Sequence, residues 1–216
     1  MAAATVSANA AANVQITEIM YTGLFGEFVE ITNVGDASQN MSGWEFSDSR
    51  RGVTHTGSVV PGTPATSTDL SGIGTLDAGE VAIITEVSDV IFIQAWYTEA
   101  AAALPVGFTG IPGANIVQTA INLGRADEVN IYASGDLDGS TAWDRMTYTD
   151  QGSGVNTGPR SEDVSAVPIS NDTTTFFEDW TLSLVSGIAW KAGLQGDIQG
   201  NPIPGPVGSP GVFPNL

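Results

Sequence analysis

Glu27-Phe28-Val29-Glu30-Ile31-Thr32-Asn33, followed closely by Met41-Ser42-Gly43-Trp44-Glu45-Phe46, decides how this chain folds. Phe28, Val29 and Ile31 form a short apolar, β-prone run that Asn33-Val34-Gly35-Asp36 ends. Met41, Trp44 and Phe46 open a second run after a polar turn. A strand, a turn and a strand with a large aromatic is how a small β-sandwich begins. The pattern continues outward. Asp77-Ala78-Gly79 is a turn that feeds Glu80-Val81-Ala82-Ile83-Ile84-Thr85, which reads as a buried strand. Val129 and Ile131 alternate with Asn130 and Tyr132, so the two pairs face opposite ways. Gly135-Asp136-Leu137-Asp138-Gly139 is a hairpin signal, and Trp143 to Tyr148 is its return strand. Trp180-Thr181-Leu182-Ser183-Leu184 reads as one more strand. One helix interrupts the strands. Ser88-Asp89 has the form of an N-cap with an acid in the first turn, and the alanines up to Ala103 favour helix until Pro105 ends it. We place that helix across an end of the sandwich.

Composition sets limits on function. The 216 residues are 42% hydrophobic, enough to bury a core within one all-β domain. No run of some 18 apolar residues exists, so no helix is expected to span a membrane. Six basic residues against 24 acidic ones give a net charge of −18, which repels nucleic-acid phosphates. Cysteine is absent, which excludes disulfides and thiolate metal sites. Few Lys and Arg among abundant Thr, Ser, Asn, Gly and Ala fit an extracellular or cell-surface bacterial or archaeal protein.

The chain divides into an N-terminal segment 1–13, a sandwich 14–192 and a Gly/Pro-rich C-terminal tail 193–216. In the first segment Val6, Ala8, Ala10, Ala12 and Val14 alternate with more polar neighbours, and no charge precedes Glu18. Two readings stay open. Ala8-Asn9-Ala10 fits a small-x-small cleavage site, although a basic n-region and an aliphatic h-region are missing. Alternatively the segment is an arm that pairs with a neighbouring copy by strand addition, with Val6, Ala8, Ala10, Ala12 and Val14 as its contact face.

The quoted residues also resemble the opening of the lamin tail domain family, bacterial exported type. That family's signature runs I-x-E, then E-F-V-E-hydrophobic-x-N, then S-G-W. Here the matching residues are Ile16-Thr17-Glu18, Glu27 to Asn33, and Ser42-Gly43-Trp44. Asn122-Leu123-Gly124-Arg125 with Asp127-Glu128, and Asp144-Arg145-Met146 with Tyr148, are similar to later family elements. Gly208-Ser209-Pro210-Gly211 resembles how many such domains end. The resemblance implies an immunoglobulin-like sandwich that binds and scaffolds rather than catalyses. Exported relatives look like accessory parts of secreted nucleases and phosphatases.

Candidate chemistry is sparse. His55 is the lone histidine and reads as a surface-loop residue, and no Gly-x-Ser-x-Gly elbow stands in a strand-to-helix setting. Glu18 and Glu30 lie on strands expected to be neighbours, the residue types that glycoside hydrolysis pairs. Their positions in a non-catalytic family instead suggest acceptors for backbone amides of adjoining loops, as buried carboxylates require. Asp136, Asp138 and Asp144 offer hard oxygen ligands for Ca²⁺, but the spacing departs from the EF-hand register and an Asp-Gly turn explains Asp138-Gly139 without metal. Of five tryptophans, Trp44 is expected in the core and Trp143 with it; Trp180 and Trp190 are the candidates for an exposed ligand contact. Arg50-Arg51 is the one basic pair, and it makes no phosphate patch.

These readings point to a non-catalytic, secreted structural or surface protein without a required cofactor. It would self-associate through its sandwich edges and terminal arm, with filaments or matrix as the product. Two alternatives stand beside it: a module that binds extracellular polysaccharide or a partner enzyme within a secreted hydrolase system, and a Ca²⁺-dependent adhesin.

Overall fold

The computed structural model describes residues 11–48, 66–138, 142–149, 158–169, 180–183, 189–192, 195–196, 202–203 and 206–213. In chain order the strands are β1 (Val14–Met20), β2 (Phe28–Asn33), β3 (Gln39–Asn40), β4 (Glu45–Ser47), β5 (Thr68–Asp69), β6 (Thr75–Leu76), β7 (Val81–Thr85) and β8 (Ile116–Gln118). They continue with β9 (Ala126–Tyr132), β10 (Asp144–Thr149), β11 (Ala166–Pro168), β12 (Trp180–Leu182), β13 (Trp190–Lys191), β14 (Gln195–Gly196), β15 (Pro202–Ile203) and β16 (Val207–Gly208). A six-stranded sheet has the order β12-β11-β1-β2-β7-β8, and a four-stranded sheet the order β10-β9-β4-β5. Every pair in both is antiparallel except β7 with β8. This is the all-β sandwich expected from the alternating runs.

The two sheets bury their facing sides against each other. Ile16, Ile19, Val29, Ile31, Ala82 and Ile84 from the large sheet meet Phe46, Val129, Ile131, Met146 and Tyr148 from the small one. The large sheet is also covered on its outer side. There Met20, Phe28, Val81 and Ile83 pack under Phe92, Ala95, Trp96 and Tyr97. Phe28 stands edge-on to both Phe92 and Trp96, at 5.7 Å between ring centroids in each case. So β2 is buried along its whole length, on both faces.

The covering element is the predicted helix, with two differences. Ser88 is its N-cap and accepts a hydrogen bond from the Ile91 amide, as the sequence indicated. However, the α-helix proper is only α1 (Asp89–Ile93); a π-helical turn over Gln94–Thr98 and a short 3₁₀ turn at Ala101–Ala103 follow. It also lies across the outer face of the large sheet rather than across an end, because Phe92, Trp96 and Tyr97 supply the apolar cover that Phe28 and Ile83 need.

Side chains bridge two corners of the sandwich. At one, the Trp143 indole N–H donates to the Val14 carbonyl at 2.9 Å, and Asp144 accepts from the Ile16 amide at 2.8 Å. At the other, Thr68 on β5, the small sheet's edge strand, bonds Thr119 just beyond β8. The tail expected from residue 193 is tied back in: Val207, Gly208, Ser209 and Pro210 are buried, and β16 pairs with β13.

A buried carboxylate clasp as the candidate functional site

A one-residue irregularity in β1 creates the site. Ile16 pairs with Ile31 but Glu18 pairs with Glu30, so Thr17 is an extra residue. A bulge of this kind reverses which face the following side chains occupy. Without it Glu18 would share the apolar inner face with Ile16. With it Glu18 stands on the outer face directly opposite Glu30, and both are buried.

Every carboxylate oxygen of the pair has a donor. Glu18 accepts from the Ser165 hydroxyl, from the Ser209 amide at 2.8 Å and from the Ser209 hydroxyl at 3.0 Å. Glu30 accepts from the Thr17 hydroxyl and from the Gly211 amide, each at 2.7 Å. Tyr97 donates to the Pro210 carbonyl between those two amides, at 3.2 Å. The pair therefore clasps the turn Ser209-Pro210-Gly211 onto the sheet. The turn has to be thin. A Cβ on Gly208 would stand 2.9 Å from Glu18 Oε1, and Gly211 has φ +90 with Phe108 and Ile111 against it.

Among the described residues, the donors to the clasp are hydroxyls and amides. Burial raises the pKa of Glu18, partly offset by its bonds to Ser165 and Ser209. Burial also raises Glu30, and the facing Glu18 carboxylate raises it further. Burial next to both carboxylates pushes the Tyr97 phenol upward. A sealed pair of this kind has no opening for a sugar and a water between its two carboxyls. What it does is receive backbone amides.

The other signature residues have the same use. Glu27 accepts the Leu123 amide at 2.6 Å, Asp48 the Asn122 amide at 2.9 Å, and Asp127 the Gly124 amide at 3.0 Å. Together they hold the Asn122-Leu123-Gly124 turn. Glu27 is pushed up to about 7, first by burial and then by the Glu86, Asp48 and Asp127 charges, against the Leu123 amide. Asn33 accepts from the Asn13 and Gly35 amides and donates to the Ala37 and Leu76 carbonyls. Gly43 has φ +74 and Trp44 is buried, edge-on to Trp143.

A profile of the lamin tail domain family matches residues 7–175. This chain belongs to the lamin tail domain family. Its members are immunoglobulin-like, non-catalytic domains. In this lamin tail domain the signature is a hydrogen-bond skeleton, in which the acids of the first strands hold turns far away in sequence. A crystal structure of a DUF4876 family protein from Bacteroides thetaiotaomicron VPI-5482 is similar over 94% of this chain and 72% of that one, at 12% identity and a TM-score of 0.41. A search of curated proteins gives no match.

The remaining candidates are placed as follows. Asp144 is turned into the sandwich corner, where burial raises its pKa against the Ile16 and Arg145 amides, and Asp136 and Asp138 stay in the hairpin turn. No group of three carboxylates or histidines that could hold a metal forms among the described residues. The tryptophan assignment is corrected. Trp180 is buried in β12, whereas Trp143, expected in the core, is 46% exposed because it caps the corner from outside. Trp190 is placed by its backbone, paired with Gly208. Val14 is a core residue and Ala12 is half-buried, so neither belongs to a free contact face. Val6, Ala8, Ala10, Arg50, Arg51 and His55 lie outside the described residues. Of the clasp partners, Ser209 lies in the Gly208-Ser209-Pro210-Gly211 stretch that resembles the family's ending, whereas Ser165 carries no sequence signal of its own, since an isolated serine looks the same in a loop as in a buried network.

Proposed function

We propose that this lamin tail domain is a non-catalytic structural protein of the cell exterior that associates with copies of itself through a sheet edge. One observation carries the reading. Two corners of the sandwich are bridged by side chains, and β12 is left as the end of the large sheet with β11 on one side only among the described residues. An edge of this kind accepts an added strand. The donor is the N-terminal segment of a second copy. Ala11 to Asn13 already run extended beside residues 33–36, with the Val34 amide bonded to the Asn13 carbonyl and the Asp36 amide to the Ala11 carbonyl. Residues 11–13 are thus backbone-bonded to the stretch just after β2.

A charge of −18 opposes association, so it should strengthen as salt screens the copies from one another. Light scattering of the purified chain between low and high salt tests this. Oligomers that grow with salt are expected, and they should be lost on deleting residues 1–10 or in Thr181→Lys on β12. A monomer at every salt and concentration removes the reading.

A further inference from the structure

A cleft of about 980 Å³ opens beside the clasp, and nothing in the skeleton described above requires it to be open. Its floor is the outer face of β1 and β2. On one side stand Asn13, Gln15 and Asp36; on the other, Phe108, Val212 and Phe213. Several polar groups around it are already committed to the fold. Asn33 uses both ends of its amide, Thr32 bonds Thr17, and Asp36 accepts the Ala11 amide at 2.6 Å. Gln15 is different. Its Oε1 is buried and has no hydrogen-bond partner among the described residues. A buried acceptor without a donor is a destabilising feature that a fold retains only where something else satisfies it.

The lining defines the chemistry of that donor. No Lys, Arg or His is among the lining residues, and the one ionisable side chain is an aspartate. The lining and the net charge of −18 therefore oppose an anionic ligand. Amides facing two phenyl rings present a polar side and an apolar side to one occupant. A pyranose has that division, with hydroxyls around its rim and C–H bonds on its face. The volume lies in the range of small-molecule sites. The lining offers no activated nucleophile, and the nearest carboxylate pair is sealed under the clasp.

We propose that this cleft binds a neutral oligosaccharide, with Gln15 Oε1 accepting a sugar hydroxyl and Phe108 and Phe213 meeting the apolar face of a ring. It would give a structural domain an attachment to extracellular polysaccharide. The site does not depend on the β12 edge, so it can fail while self-association holds, and the reverse.

The test is a glycan array probed with the full chain, followed by isothermal titration with the neutral oligosaccharide retained best. Binding is expected to be unchanged by salt, because a neutral ligand carries no charge to screen. Gln15→Ala and Phe108→Ala should each weaken it about tenfold or more, the equivalent of one hydrogen bond or one ring contact. Val90→Ala, at an exposed residue of α1 that does not line the cleft, should leave it within about twofold. Phe108 also stands against Tyr97 and Gly211, so its variant is accompanied by a melting curve, and Gln15→Ala carries the result if Phe108→Ala unfolds. Three outcomes overturn the proposal: no neutral glycan retained at millimolar concentration, unchanged affinity in Gln15→Ala, or preference for anionic glycans.

Discussion

The two faces of the six-stranded sheet solve different problems with the same strands. The inner face carries Ile16, Ile19, Val29 and Ile31 and meets a second sheet through apolar side-chain contact, with hydrogen bonds between the sheets at the corners. The outer face interleaves Met20 and Phe28 with Thr17, Glu18, Glu30 and Thr32. Apolar contact is non-directional and tolerates many partners of suitable volume. A buried carboxylate tolerates only donors at fixed positions, because leaving it unsatisfied costs far more than leaving a methyl loosely packed. The inner face therefore makes the sandwich, and the outer face selects which segment closes over it. The difference is one of specificity: Ser209-Pro210-Gly211 is recognised by geometry, whereas the facing sheet is recognised by hydrophobicity.

Truncation on each face should break the protein differently, and this is the largest expected effect. Ile31→Ala opens a cavity between the sheets and should cost about 2–5 kcal/mol in chemical denaturation, lowering protection throughout both sheets. Glu18→Ala removes the acceptor for the Ser209 amide and hydroxyl and should cost about 2 kcal/mol. Its effect should be local, with amide exchange accelerated at Val207 to Gly211 while β2 and β7 keep their protection. Uniform loss of protection in both variants would abolish the distinction drawn between the faces.

The clasp should also give the protein an acid-side stability optimum. Glu18 and Glu30 hold their protons to higher pH than the unfolded value of 4.5. Between that value and the raised folded ones, the folded state binds more protons than the unfolded state. Stability then falls as pH rises from about 4.5 into the neutral range, and levels off once both states have ionised. Glu27 adds to the same slope up to about 7, weakened by solvent screening because it is only partly buried. The melting temperature should accordingly be several degrees higher at pH 5 than at pH 8. Glu30→Gln should flatten this. Its amide oxygen can accept from Gly211, and its NH2 can donate to Thr17, whose hydroxyl then turns to Thr32. A wild-type melting temperature that rises from pH 5 to pH 8 would contradict a buried pair with raised pKa values.

Much of this arrangement was legible in the sequence, for physical reasons that can be named. Phe28-Val29 and Ile31, Val81 to Thr85, and Val129 with Ile131 are strands because their apolar residues leave no other way to be buried, and all three are strands in the structure. The amide-accepting role of Glu18 and Glu30 followed from the cost of burying a carboxylate, and the Ser209 and Gly211 amides fill it. The identity of the donors did not follow. It depends on a bulge at Thr17 that no residue preference announces, and on chain closure across more than a hundred residues. The tryptophans went the other way. Trp143 and Trp180 are the same residue type at the start of similar strands. Only the corner geometry decides that Trp143 stands outside against Trp44 while Trp180 is covered.

That corner supplies the smallest of the expected effects and the finest test of the comparison. Trp143→Phe keeps a ring against Trp44 but removes the N–H that reaches the Val14 carbonyl. Trp143 is 46% exposed, so in the variant water can take the place of the indole N–H, and the loss should stay at or below about 1 kcal/mol. A freed Val14 carbonyl at the end of β1 is a new acceptor for an added strand. If self-association proceeds through β12 alone, Trp143→Phe should leave particle size unchanged in light scattering. If the variant instead forms larger particles at equal stability, then the indole closes a second edge, and directional bonds at the corner restrict which edge takes a partner just as the clasp restricts which turn closes the outer face.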